Sequence, residues 1–274
     1  MRGLRPEDYQ EPNCVFCNPE EKKRATPVDL RRCITRLDAL LDRNDYPAAR
    51  RHLDYWRAEA LACNDLRGLL SIENERMGLL RKLGDETAAR QAADSAAALV
   101  GRAGLEDTVT AATTWLNMAT VYKHFGHARE ALPLYDRARA IYEKALAPED
   151  PRLGGLYNNT ALALADLNCW QEAEELYNKA LSIMEQQPLG ALEMAVTELN
   201  LANLAEAREG LLEAEAEIET RLDRARALLN RPELPRNGYY AFVCEKCAPS
   251  FDYYGRFLDA MELKQTAEEI YARA

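Results

Sequence analysis

The feature of this chain that most constrains its fold is an internal repeat with a period of about 42 residues. The stretch "MATVYKHFGHAREALPLYDRARAIYEKAL" from Met118 aligns with "TALALADLNCWQEAEELYNKALSIMEQQP" from Thr160 at a constant offset of 42. The matched pairs are small, aliphatic or aromatic residues: Ala119 with Ala161, Ala131 with Ala173, Tyr135 with Tyr177, Ala138 with Ala180 and Ile141 with Ile183. A fixed period of this length indicates a repeat architecture, in which stacked units share a continuous core.

Four further copies extend the pattern towards both ends of the chain. Gly126 aligns with Gly84 one period earlier, and "NDYPAAR" from Asn44 matches "GDETAAR" from Gly84 at an offset of 40. The stretch "NLANLAEAREGLLEAEAEI" from Asn200 is a later copy at an offset of 41, and Gly255 lies 129 residues after Gly126. The sequence therefore predicts six units.

Each unit has the pattern of a helix, a short turn and a second helix. The turns contain Gly or Asn, the residues that most readily adopt the left-handed backbone at a helix end, namely Asn44, Gly84, Gly126, Asn168 and Gly255. Abundant Ala, Leu, Glu and Arg also favour helices over strands. We predict an all-α protein in which residues 28–274 stack into a right-handed α-solenoid, a superhelix of helix-turn-helix repeats, after an N-terminal extension of residues 1–27.

One stretch resembles a known family. "WLNMATVYKHFGHAREALPLYDRARAIYEKALAPEDP" from Trp115 is similar to tetratricopeptide repeats, and especially to the longer repeats of kinesin light chain. The resemblance implies a protein–protein interaction scaffold that binds a peptide or protein segment in its concave groove. Ordinary tetratricopeptide repeats have a period of about 34 residues, so we expect the extra residues to extend the second helix and the loop after it. "EAEAEIETRLDRARALLN" in particular predicts a lengthened second helix.

Equivalent polar residues on the first helices are the candidate ligand-binding residues. Asn117, Asn159 and Asn200 recur at intervals of 42 and 41, and Asn74 or Glu75 occupies this place in the earlier copy. An asparagine side chain offers both donors and an acceptor to an extended peptide backbone, and the family resemblance implies this role here. The alternative is that these asparagines bond between adjacent repeats and hold the stack together. Neighbouring residues complete the predicted groove: Asn158, Asn203, Lys123, His124 and Asp166.

The sequence contains no recognisable catalytic motif. It has no phosphate-binding Gly-Lys-Ser/Thr loop, no Gly-x-Gly-x-x-Gly, no Gly-x-Ser-x-Gly and no His-Glu-x-x-His. His124 and His127 are spaced i, i+3 on a helix end, but they lack the third and fourth ligands that a metal site needs. We therefore expect no enzymatic activity.

Charge and hydropathy restrict the partners. The net charge of -10 disfavours nucleic acid and anionic membranes, which need a basic face, and favours a basic peptide or protein segment in an acidic groove. No apolar run suits a signal peptide or approaches the roughly 20 residues of a membrane span, so we expect a cytoplasmic protein. A second hypothesis is a sensory or regulatory protein that responds to a peptide or to zinc.

Two Cys-x-x-Cys pairs are the candidates for zinc, Cys14 with Cys17 and Cys244 with Cys247. The repeat register aligns Cys244 with Trp115, a packing position, which favours buried free thiols. This requires a continuous helix through Pro249, whose ring should kink it. A site that joined all four cysteines would need a closed superhelix, a folded-back N-terminal arm or a dimer. We expect no cofactor, with zinc as the alternative.

Overall fold

The computed structural model describes residues 26–274, and this range folds into twelve α-helices without a strand. The helices are α1 Leu30–Leu41, α2 Tyr46–Ala62, α3 Leu66–Lys82, α4 Glu86–Arg102, α5 Val109–His124, α6 Ala128–Ala145, α7 Pro151–Asp166, α8 Trp170–Met184, α9 Ala191–Glu209, α10 Glu215–Leu229, α11 Gly238–Tyr253 and α12 Phe257–Arg273. Consecutive helices pack in six pairs, which confirms the predicted all-α solenoid. Cys14 and Cys17, with most of the predicted extension of residues 1–27, lie outside the described residues.

A residue with positive φ turns the chain between the two helices of each repeat. Asn44, Gly84 and Gly126 have φ values of 57°, 70° and 86°, as the sequence predicts, and so do Asn168 and Gly255 with 61° and 79°. In the first two repeats an aspartate follows at once, and its carboxylate accepts from the backbone N–H three residues later. Such a cap satisfies a helix donor that would otherwise have no partner.

Small residues let the two helices of a repeat approach closely, and tyrosines fill the remaining space. Ala119 and Ala131 are fully buried, and Tyr135 and Tyr142 are buried beside them. A buried tyrosine hydroxyl needs a partner, and Tyr142 Oη lies 2.7 Å from Thr113 Oγ1 on the neighbouring first helix. These contacts fix the angle between paired helices, and so they fix which residues face the inside of the solenoid.

The fifth repeat departs from the prediction. The expected lengthened second helix is wrong, because α10 spans only 15 residues, whereas α6 spans 18. Gly210, with φ 90° and ψ 157°, ends α9 and starts a turn, which delays the start of α10 to Glu215. The extra length lies instead in the loop after α10, where Pro232 and Pro235 cannot supply helix donors.

The first and last repeats touch, so the solenoid closes on itself. Arg43 Nε donates to the carbonyl oxygen of Ala274 at 2.7 Å. Gly238 packs directly against Asp42, since a Cβ on Gly238 would lie 2.6 Å from the Asp42 Cα. The chain therefore forms a ring with the six first helices, α1, α3, α5, α7, α9 and α11, on its inner side.

A lysine joins the two ends of this ring. Lys82 Nζ lies 4.6 Å from the ring centroid of Tyr46 and 4.2 Å from that of Phe242, and 3.8 Å from Glu245 Oε2. A cation held over aromatic faces and beside a carboxylate is stabilised by both. We use the name seam for the contact formed by Asp42, Arg43, Tyr46 and Lys82 on one side and Gly238, Phe242, Glu245 and Ala274 on the other.

Candidate functional site

Equivalent positions on the six first helices can be identified by counting back from the left-handed residue of each turn. Each first helix places one residue nine positions before its left-handed residue, or ten positions before Gly210 in the fifth repeat. These six residues, which we call the inner row, are Thr35, Glu75, Asn117, Asn159, Asn200 and Lys246. All six are exposed or half-buried, so solvent and ligands can reach them.

Two of the three inner-row asparagines bond to the preceding repeat. Asn117 Nδ2 donates to Asn74 Oδ1 at 2.9 Å, and Asn74 Nδ2 donates to Thr114 Oγ1 at 3.0 Å. Asn74 and the pair Thr114 and Asn117 lie on successive first helices, α3 and α5. The amide of Asn74 is therefore bonded to both residues of a Thr-x-x-Asn sequence in the next repeat.

The same arrangement recurs two repeats later. Asn200 Nδ2 and Thr197 Oγ1 both donate to Asn158 Oδ1 at 3.1 Å, and Asn158 is buried with only 9% of its surface exposed. The repeat between them lacks it because Leu116 stands where Asn74 and Asn158 stand. Asn159 consequently has no side-chain hydrogen bond to any residue in the described range.

The asparagines thus have two different environments. Asn74, Asn117, Asn158 and Asn200 hold adjacent first helices together, which is the alternative left open by the sequence. Asn117 and Asn200 each use one donor in this way, and their carbonyl oxygens have no partner among residues 26–274. The side chain of Asn159 has all its donors and acceptors free of residues 26–274. The signal for these bonds is visible in the sequence as "TTWLN" and "TELN", each preceded by an asparagine about one period earlier.

The other predicted groove residues are partly engaged with the protein. Lys123 Nζ lies 3.4 Å from Asp166 Oδ2. Asn203 Oδ1 accepts from the hydroxyl of Tyr254 at 2.9 Å. His124 is exposed and packs edge-on against its neighbour Phe125, with ring centroids 4.9 Å apart.

Cations from three helices converge beside the inner row. Burial lowers the pKa of Lys246; the charge of Glu193 opposes this shift, and the charges of Arg81 and Lys123 reinforce it. Burial and the same two cations also lower the pKa of His124. Although solvent reaches Lys246, it is surrounded by protein atoms, as expected for a side chain inside a ring. Residues of α3, α5 and α11 therefore share one interior.

Sequence reasoning missed Arg81 and Lys246. Lys246 could have been found from its register, because it precedes Gly255 as Asn117 precedes Gly126. Arg81 could not, because its approach to Lys246 depends on the closure of the ring.

The cysteines of α11 belong to the core. The helix is continuous through Pro249, which confirms the predicted register, and Cys244 and Cys247 are 0% and 1% exposed. Burial raises the pKa of both thiols to about 12, whereas a zinc ligand must be a thiolate. Within residues 26–274 no three His, Cys, Asp or Glu side chains are grouped closely enough to hold a metal ion.

Among the described helices, none is long and apolar enough to cross a membrane.

Comparison with known proteins identifies the repeats. Residues 110–186, which form α5 to α8, match the family model for the tetratricopeptide repeat. Residues 110–186 carry tetratricopeptide repeats. This confirms the family predicted from the sequence, and the matched segment is the one whose repeats are most alike. No curated protein matches the chain.

Two solved structures with TM-scores above 0.5 share the fold of this chain at low sequence identity. BtubC (BKLC) from P. vanneervenii is 19% identical with a TM-score of 0.53, over 83% of this chain and 90% of that one. A Rap protein complexed with competence and sporulation factor is 14% identical with a TM-score of 0.52, over 87% and 73%. A Podospora anserina protein assigned as a kinesin light chain, with nearly identical TPR-like repeats, is 19% identical with a TM-score of 0.48, over 74% and 95%.

Proposed function

We propose that this protein is a protein–protein interaction scaffold that binds an extended peptide or protein segment inside its ring of tetratricopeptide repeats. The observation that carries the proposal is the inner row, in which three successive repeats present Asn117, Asn159 and Asn200 at one register. Their side-chain carbonyl oxygens have no partner among residues 26–274. Amide groups of this kind can bond to the backbone of any extended segment.

The spacing of the row suits a peptide backbone. Packed helices lie about 8 to 10 Å apart, and an extended chain advances about 3.3 Å per residue. Successive asparagines would therefore contact residues that lie three apart in a segment that runs across the first helices. Asn74 and Asn158, which tie neighbouring helices together, keep this spacing fixed, so little side-chain entropy is lost on binding.

The charges of the site bear on the partner's composition. The net charge of -10 favours approach of a basic segment. At the α11 end of the row, Lys246 forms no ion pair with a residue of the described range and lies near Arg81 and Lys123, so an acidic side chain would be stabilised there. A segment with both basic and acidic residues fits this distribution. The Rap structure, a complex with competence and sporulation factor, supports the use of this fold to hold another molecule.

The proposed activity is binding without catalysis or a bound metal. The buried, protonated thiols of Cys244 and Cys247 are unsuited to sensing zinc.

The test compares asparagine variants with a partner isolated from native cell extract. The triple variant Asn117→Ala, Asn159→Ala, Asn200→Ala should bind the partner's segment at least about tenfold more weakly in calorimetry, because several hydrogen bonds of about 1 kcal/mol each are lost. Asn178→Ala, on the exposed face of α8, is the matched control. Circular dichroism must show that both variants are folded. Equal affinity of the triple variant and the wild type would reject the proposal.

A further inference from the structure

A cavity of about 440 Å³ lies at the seam, lined by residues of α1, α2, α3, α11 and α12 and by Asp42. Its volume is within the range of about 300 to 1,000 Å³ typical of small-molecule sites. Glu75 is the one inner-row residue among those that line it. The cavity exists because the ring closes, since its two walls come from opposite ends of the chain.

The walls of the cavity are largely aromatic and aliphatic. The rings of Tyr46, Tyr239, Phe242 and Tyr271 line it together with three leucines. Lys82 already places its ammonium group over two of these rings. Aromatic faces carry partial negative charge and attract cations, so this lining favours a cationic ligand with an apolar body.

Among residues 26–274, no basic side chain forms an ion pair with the carboxylates that line the cavity. Asp38, Asp42 and Glu75 line the cavity, and no lysine or arginine nitrogen of the described residues lies within 4.0 Å of them. Lys82 is paired with Glu245. Although solvent reaches Glu75, the protein atoms around it raise its pKa, and the charge of Asp38 raises it further, which indicates that these two carboxylates repel each other.

Arg81 forms no ion pair with Asp38 or Glu75, since none of its nitrogens lies within 4.0 Å of either carboxylate. Arg81 also lines the cavity, and its charge acts on Tyr135 and His124 of the third repeat and on Lys82 and Lys246. A positive group beside Asp38 and Glu75 would relieve the repulsion between them.

We propose that the seam cavity binds a small organic ammonium ion, with its charged group beside Asp38 and Glu75 and its apolar body against the rings of Phe242, Tyr239 and Tyr271. Because the walls belong to the first two repeats and to the last one, the ligand contacts both sides of the seam. A ligand that binds only the closed form stabilises that form. This site is separate from the asparagines of the inner row, so it can be tested without the peptide partner.

The experiment uses the full chain and two probes of equal shape, phenethylammonium and neutral phenethyl alcohol. Calorimetry should show that the ammonium probe binds at least about tenfold more tightly than the alcohol, because only the cation pairs with the carboxylates. Asp38→Asn and Glu75→Gln should each reduce this preference, and the double variant should abolish it. Glu172→Gln, on an exposed residue of α8, should leave it unchanged.

A second measurement guards against indirect effects of the substitutions. Phe242→Leu keeps the charges but removes an aromatic face, so it should weaken the ammonium probe more than the alcohol. Failure of the wild type to bind the ammonium probe, or equal binding of both probes, would overturn the proposal. Undiminished preference for the ammonium probe in the folded double variant would overturn it as well. None of these outcomes depends on Asn117, Asn159 or Asn200, so the proposed peptide binding would stand or fall separately.

Discussion

Arg221 Nη1 lies 2.9 Å from Glu198 Oε2, at the place in the repeat where Arg137 lies 3.9 Å from the ring centroid of Trp115. Three successive repeats share this pairing of a second-helix cation with a first-helix residue: Arg137 with Trp115, Lys179 with Tyr157 and Arg221 with Glu198. The cation recurs every 42 residues, while its partner is either a ring or a carboxylate. Both partners attract a cation, so the helix pair keeps its geometry although the residue changes.

Removal of this carboxylate should destabilise the fifth repeat. Glu198 is only 6% exposed, so Glu198→Ala leaves the Arg221 charge largely buried without its nearest partner and should lower the free energy of unfolding by about 3 kcal/mol. Glu198→Tyr should recover part of this loss, because Arg221 can then lie over a ring as Lys179 lies over Tyr157. Urea unfolding followed by circular dichroism measures both variants. A loss as large for Tyr as for Ala would contradict the equivalence of the three pairs.

A side chain at Gly238 should open the ring. Its Cβ would lie 2.6 Å from the Asp42 Cα, so Gly238→Val forces the seam apart while each repeat keeps its own contacts. The radius of gyration from small-angle X-ray scattering should rise with little loss of helix content. Gly155→Ala is the matched control, because a Cβ there meets no atom within 4 Å; it should leave the radius unchanged and add up to about 1 kcal/mol of stability. An unchanged radius for Gly238→Val would show that the ends do not pack as described.

The hydrogen bonds between neighbouring first helices should contribute to stability, whereas the side chain of Asn159 should not. Asn158→Ala removes the acceptor of two hydrogen bonds, from Thr197 and Asn200, and should cost about 1 to 3 kcal/mol. Asn159→Ala, one residue further, loses no bond within the described structure and should change stability by less than about 0.5 kcal/mol. Thermal and urea unfolding test this pair. Equal losses would mean that Asn159 also has a structural role.

Glu75 should make stability depend on pH in a defined direction. Its pKa is raised above the ordinary value of 4.5 by burial and by Asp38, so the folded chain holds this proton more tightly than the unfolded chain. The stabilisation is complete below pH 4.5 and is lost as the pH rises through the folded-state pKa. Glu75→Gln should therefore match the wild type in acid and exceed it at neutral pH. Unfolding curves give the free energy of unfolding of the wild type and of Glu75→Gln across this pH range, with Glu172→Gln as control. A difference between the wild type and Glu75→Gln that does not change with pH would contradict the assignment.

The cysteines of α11 should be inert in the native protein. Cys244 and Cys247 are buried, with the pKa of each raised to about 12, and the thiolate is the reactive form. Iodoacetamide at neutral pH should label Cys63 and Cys169, which are half-buried, well before the α11 pair. Peptide mass spectrometry measures the order, and urea should make all four react. Early labelling of Cys244 would mean that α11 opens.

The periodic part of this fold could be predicted from sequence because each repeat encodes its own turn. Asn44 and Gly126 mark helix ends by their backbone preference alone, and the alignment of Cys244 with Trp115 placed α11 correctly across a proline. The lengthened helix in the fifth repeat was wrong because Gly210 moves the start of α10, and a helical composition does not reveal where a helix begins.

The site was less accessible to the same reasoning. Asn117, Asn159 and Asn200 share a register, but their different environments depend on whether the preceding repeat carries Asn or Leu116 one position before the row. The periodicity of the sequence does not predict that Arg81 lies near Lys246, or that Lys82 packs against Phe242. These contacts arise from the summed rotation of six repeats, and no single repeat specifies that sum.

Closure at Lys82 has a kinetic consequence for anything held inside. A solenoid with separated ends exchanges a bound segment sideways, whereas a ring admits a chain only end-on or while its ends are apart. The lifetime of an enclosed segment would then follow the rate at which the seam opens, a step in which Lys82 leaves the rings of Tyr46 and Phe242. A loop of a folded partner has no free end, so its association would be gated by the same opening step.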